Sequence, residues 1–202
     1  MRRTESNQKG RAVELTDSEA VARSLDGDPE AFAALVHRHS QAVHGYLYRR
    51  SDHQTADDLL GDVWLRAFRS RHGYDQGWST ARPWLYGIAA NTLRAHWRRR
   101  PSDHESPMER GHDPWSDADA RLDAARRWPL LRTAIGELGP EDRDVLLLFA
   151  WEHLRPAEIA VCLGIPQGTA RWRLHRARTL VQKHLDDDSA LRSVLPCTTK
   201  EA

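Results

Sequence analysis

Cysteine is scarce in this chain: 202 residues contain two, Cys162 and Cys197. They lie far apart and make neither a CxxC metal pair nor a disulfide framework, which fits a reducing compartment. Long apolar runs are also missing. None approaches the ~18 residues that span a bilayer, so no membrane insertion is expected. The opening MRRTESNQKGRAVELT has no apolar signal core, and a cytoplasmic location is the expectation. Strand-like alternation is absent over any length, and apolar spacing is helical wherever it is regular. With 40% hydrophobic residues the chain can still build real cores. The fold class expected is all-α, as two small helical domains joined by a flexible linker.

A net charge of only +1 argues against a polyanion as partner until the charge is divided along the chain. Residues 1–37 sum to −2, residues 38–100 to +6, residues 101–128 to −3, residues 129–165 to −3, residues 166–185 to +5 and residues 186–202 to −2. Two basic blocks separated by acidic ones suit two separate contacts on a nucleic acid.

In chain order, the polar residues 1–24 read as a disordered lead. Asp28 and Pro29 open a helix with Phe32, Leu35, Val36, Val43, Tyr46 and Leu47 inward. Its His37-Arg38-His39 triplet reads as surface histidines, since a metal site would need more ligands on one face. A second helix over 55–71 carries Leu60, Val63, Trp64, Ala67 and Phe68 on one side. Asp57, Asp58 and Asp62 stand near its start, and Arg66, Arg69 and Arg71 near its end, as the helix dipole favours. The aspartates lack partners for metal or acid–base chemistry, so neither a catalytic nor a metal site is expected, nor a cofactor. Tyr74 and Trp78 sit in a polar loop over 72–81, where they either stack on unpaired bases or cap the core. Pro83 opens a helix that ends in Arg98-Arg99-Arg100; with Arg82 and Arg94 these make a basic face beside aromatics.

Residues 101–127 are acidic, rich in proline and serine, and read as a largely unstructured linker, with helix open to resume from Asp117. Two helices broken at Gly139-Pro140 follow. They form a platform for the stretch 154–185, LRPAEIAVCLGIPQGTARWRLHRARTLVQKHL. There, a short helix stops at Gly164, and a second starts near Thr169 with Ala170, Leu174, Ala177 and Val181 as its buried stripe. Its remaining positions are basic and hold no acidic residue. Short helix, glycine turn and basic second helix make a helix-turn-helix, whose second helix enters the DNA major groove. Residues 186–202 read as a tail.

These stretches together resemble an RNA polymerase sigma factor of the extracytoplasmic-function (ECF) class of the sigma-70 family. ADDLLGDVWLRAF and RPWLYGIAANTLRAHWRRR resemble sigma region 2, and LGPEDRDVLLLFAWEHLRPAEIAVCLGIPQGTARWRLHRAR resembles region 4. The resemblance implies region 2 over 25–100 and region 4 over 128–185. It implies that Asp57, Asp58, Leu59, Asp62, Val63 and Arg66 meet the β′ clamp helices of core RNA polymerase. It places Tyr74, Trp78, Arg82, Trp84, Asn91, Arg94, Arg98 and Arg99 at the promoter −10 element, where a base is extruded and DNA opens. Thr169, Arg171, Trp172, Arg173, His175 and Arg176 would read the −35 element, with region 4 near the polymerase β flap. An anti-sigma factor is a further partner the resemblance implies. Departures from the family pattern are Gly61 for a usual Gln, Ala90 and Ala95 for common Arg and Asp, Pro156 for an aromatic or polar residue, and Trp172 for a small residue.

Two other functions compete. A stand-alone helix-turn-helix regulator would bind duplex DNA by itself, usually as a dimer. A recombinase-like enzyme would need a nucleophile with an arginine cluster or a carboxylate metal site, and neither pattern is visible.

Overall fold

Thr16 caps a helix: its hydroxyl accepts from the Glu19 amide while the Glu19 carboxylate accepts from the Thr16 amide at 2.8 Å. A computed structural model describes residues 15–99 and 121–194, with side chains of the second stretch from 129 to 186. It contains α1 (Asp17–Leu25), α2 (Pro29–Tyr48), α3 (His53–Ser70), a 3₁₀ turn at Arg71–Gly73, α4 (Arg82–Arg99), α5 (Arg121–Gly136), α6 (Pro140–Ala150), α7 (Pro156–Leu163) and α8 (Gln167–Val194). No strand occurs among the described residues. The all-α expectation holds.

Local chemistry sets the helix starts. Asp28 accepts from the Glu30 and Ala31 amides with Pro29 at the first position of α2, and Asp52 accepts from the Thr55 amide at 2.8 Å to start α3. Pro140 follows Gly139 into α6. The Glu158 carboxylate folds back to the Arg155 amide at 2.7 Å to start α7. Helix α7 ends where Gly164 adopts a left-handed φ of 65°, a conformation cheap only for glycine. The Ile165 amide then donates to the Ala160 carbonyl at 3.0 Å, closing the turn.

Helices α1 to α4 pack as one bundle around Val21, Leu35, Leu47, Val63, Ala67, Leu85 and Ala89. Helices α5 to α8 form the second unit. Val145, Leu148, Leu154, Ile159, Ala170 and Leu174 lie in its core, with α8 lying across α5, α6 and α7.

Three expectations are corrected here. The lead read over 1–24 contains α1, which docks on α2; residues 1–14 lie outside the described chain. The linker boundary at 127 moves back, because α5 begins at Arg121, in keeping with helix resuming after Asp117; residues 101–120 lie outside the described chain. The tail read over 186–202 begins as a continuation of α8 to Val194.

His39 is also not a surface residue. It is buried, and its Nε2 meets Asp17 Oδ2 at 2.8 Å. Asp17 accepts in addition from the Ala81 amide at 2.6 Å and pairs with Arg38. Burial opposes ionisation of Asp17, but hydrogen bonds from His39, the Ala81 amide and Arg38 outweigh it and hold the carboxyl well below the usual carboxylate range. One buried carboxylate thus ties α1, α2 and the start of α4 together.

Candidate polymerase and nucleic-acid interfaces

The outer face of α3 carries Asp57, Asp58, Asp62 and Arg66 in solvent, as the sequence suggests. Leu59 and Val63 do not join them: both are core residues, because they fall on the stripe that packs against α2 and α4. Two exposed apolar side chains stand on this helix instead, Leu65 at 56% exposure and Phe68 at 38%. Phe68 meets Phe32 edge-on at 5.1 Å and carries Arg71 over its ring at 3.8 Å. Asp57 accepts from His44 at 2.9 Å and His53 at 3.0 Å, a cross-helix cluster that sequence reading missed. Helical spacing alone does not bring His44 of α2 to it. Gly61 is exposed, and a Cβ there would meet nothing within 4 Å.

Around the second aromatic–basic set, the loop before α4 is pinned by α1. Ser18 donates to the carbonyls of Gln76 and Trp78, each at 3.2 Å. Tyr74 resolves the choice between stacking and capping in favour of capping. It is 6% exposed, donates to the Trp78 carbonyl at 3.2 Å, and its ring lies 5.3 Å from that of Trp84. Trp78 and Trp84 are half-buried. Asn91, Arg94, Arg98 and Arg99 are exposed; the first three follow the i, i+3, i+7 spacing of one helix face.

Gly87 precedes Asn91 by four residues on that face, and it is where α4 meets α7. A Cβ at Gly87 would come 3.0 Å from the Cys162 carbonyl oxygen, so any larger residue there would push α7 away by a few tenths of an ångström. Around it, residues of the second unit engage the first. Glu152, 2% exposed, accepts from Arg49 at 2.6 Å and lies 3.5 Å from Arg50. Arg82 donates to the Glu152 carbonyl at 3.2 Å and to the Tyr86 hydroxyl at 3.1 Å. Arg94 reaches Asp144 at 3.6 Å. Cys162 is buried in this junction, and burial pushes its thiol up to about 12. Burial likewise pushes the Tyr86 phenol up to about 12.

In the helix-turn-helix, Ala170, Leu174 and Ala177 are buried against α6 and α7. The basic residues of α8 divide. Arg173 pairs with Glu141, and Arg176 Nε donates to Asp142 at 2.7 Å. Arg178 lies over the Phe149 ring at 4.5 Å. These three help hold α8 to α6. Arg171, Trp172 and His175 project into solvent, and Thr169 is half-buried. Arg171 and His175 have no side-chain partner among the described residues. The arrangement offers two exposed polar and basic faces on separate helices, and a third, acidic–apolar face on α3.

Family models for Sigma-70 region 2 and Sigma-70 region 4 match residues 35–102 and 129–181. The chain is 33% identical over 193 residues to the ECF RNA polymerase sigma factor SigE of Mycolicibacterium smegmatis, covering 88% of this chain and 72% of that one. It is 36% identical over 158 residues to the RNA polymerase sigma factor CarQ of Myxococcus xanthus, covering 77% and 90%. Among solved structures, CnrH in complex with the cytosolic domain of CnrY superposes with a TM-score of 0.56 at 26% identity, over 85% of this chain and 98% of that one.

Proposed function

The chain belongs to the ECF class of the sigma-70 family, and from that membership we propose how its surfaces divide the work of promoter-specific initiation. It binds core RNA polymerase and directs transcription from chosen promoters. Bond formation belongs to the polymerase; this chain is a specificity subunit, not an enzyme, and works in the cytoplasm. No helix among the described residues is long and apolar enough to cross a membrane.

The outer face of α3 docks on the β′ clamp helices. Asp57, Asp58, Asp62 and Arg66 supply charge there, and Leu65 and Phe68 supply the apolar contact. Exposed apolar side chains rimmed by charges suit a protein interface better than DNA. The α4 face with Asn91, Arg94, Arg98 and Arg99 meets the −10 element. Trp78, Arg82 and Trp84 border it, and Tyr74 supports the loop from within. Helix α8 reads the −35 element through Thr169, Arg171, Trp172 and His175, close to the β flap. Arg173 and Arg176 hold the helix in place. An anti-sigma factor covering one of these faces is a further expected partner.

The observation that carries this reading is that the two region matches fall, in order, on the two helical units that each expose a basic face. A stand-alone regulator has no use for the basic α4 face or the apolar α3 patch. Affinity capture tests it: the tagged chain retains core polymerase, and Leu65→Asp with Phe68→Asp abolishes retention. Wild-type chain that fails to hold core polymerase contradicts the proposal.

A further inference from the structure

Among the described residues Trp172, like Leu65 on α3, is a large apolar side chain left in solvent. It is 56% exposed and lies on the side of α8 opposite the buried stripe of Ala170, Leu174 and Ala177. One turn earlier stands Gly168, around which a Cβ would meet nothing within 4 Å. Helical side chains lean toward the helix N-terminus, so the indole extends over a turn that has no side chain of its own. That end of a recognition helix is the one that reaches base edges.

The ring is braced from behind. Arg176, one turn later, places its guanidinium carbon 4.5 Å from the indole centroid. The same guanidinium is fixed by Asp142, whose side chain is 1% exposed and accepts from Arg176 Nε at 2.7 Å. A cation over an indole face is attractive, more so when one partner is anchored. The Asp142–Arg176–Trp172 chain therefore holds an apolar plate outward, so that little side-chain freedom remains to be lost on binding.

Base edges in the major groove present hydrogen-bonding groups and a single apolar feature, the C5-methyl of thymine. A braced indole exposed to solvent offers apolar surface that matches that feature. We propose that Trp172 is a specificity-determining residue that reads a thymine methyl within the −35 element, and that Arg176 is a positioning residue rather than a DNA contact. The inference rests on α8 being the −35 reading helix.

The test uses holoenzyme assembled from the full chain and core polymerase, on promoters in which each −35 thymine is replaced in turn by deoxyuridine, which lacks only the methyl. At one position the change weakens wild-type promoter occupancy about fourfold, the factor expected for one methyl kept in contact with water. Trp172→Ala binds the thymine and uracil promoters equally, and Trp172→Phe, which keeps an apolar ring, retains part of the discrimination. Arg176→Gln lowers the thymine/uracil ratio; because a ratio is read, a smaller folded fraction does not imitate the effect. A wild-type holoenzyme that needs the −35 element but ignores every thymine-to-uracil change overturns the role of Trp172 alone. The same discrimination in Trp172→Ala as in wild type overturns it too. A holoenzyme indifferent to replacement of the whole −35 element overturns the assignment of α8 itself.

Discussion

Arg49, at the end of α2, donates to Glu152, in the turn between α6 and α7, at 2.6 Å across 103 residues of sequence. The carboxylate is enclosed, and Arg50 lies 3.5 Å away on the same oxygen. Removing one member of a buried pair leaves the other charge without compensation, at about 3–5 kcal/mol when both are fully enclosed. Arg49 is partly solvated, so Glu152→Ala is expected to lower stability by about 2–3 kcal/mol. Glu152→Gln keeps an acceptor oxygen and loses less. Urea denaturation measures both, and small-angle scattering on Glu152→Ala reads a larger radius as the two units part. Unchanged stability and radius would show that the pair does not hold the junction.

Acid acts on a different carboxylate. Asp17 ionises well below the ordinary carboxylate range in the folded chain, and about 3.9 is usual when unfolded. Its contribution is therefore complete above about pH 4 and is lost as pH falls toward the folded value, because the unfolded state takes up the proton first. Asp17→Asn is expected to lower stability at pH 7 and to flatten its dependence on pH between about 5 and 2. Chemical denaturation at stepped pH measures this. Parallel curves for the two proteins would contradict the Asp17 linkage.

Gly61 stands inside α3 with open space around it. Gly61→Ala removes backbone freedom from the unfolded chain and adds no clash, so a gain of about 0.5–1 kcal/mol is expected. A thermal melt reads it as a raised Tm. A lowered Tm would mean that α3 needs glycine for a reason other than space.

Cys162 is buried where α4 meets α7, and its thiol is pushed up to about 12. In a Cys197→Ser background, a thiol reagent at pH 8 is expected to label the native protein only as fast as it opens, and the urea-unfolded protein at once. Rapid labelling of native protein would show that the junction is not closed in solution.

The sequence made most helices legible because apolar positions recur at helical spacing through α2, α3, α4 and α8, and because Asp28, Pro29, Pro140 and Gly164 mark where helices start or stop. Helix α1 escaped because it is short and polar. What seats it is Ala20 and Val21 with the Asp17 carboxylate, and that carboxylate's partners lie 21, 22 and 64 residues away. Pairings of this range leave no periodic trace. The same limit hid the partners of two basic residues of α8: Arg173 and Arg176, expected as −35 contacts, pair with Glu141 and Asp142 of α6. Tyr74 shares a polar loop with exposed residues, and only the neighbouring Trp84 ring and the docked α1 explain why it turns inward. The departure at Trp172 was visible in the sequence; its brace was not.

Run-off transcription with purified core polymerase tests the central claim most directly. With a genomic promoter library, core polymerase together with this chain is expected to yield discrete transcripts whose starts share a −10 and a −35 motif, while neither component alone yields them. Tight binding of promoter duplexes by the chain without polymerase, combined with no transcript when core polymerase is added, would contradict the account.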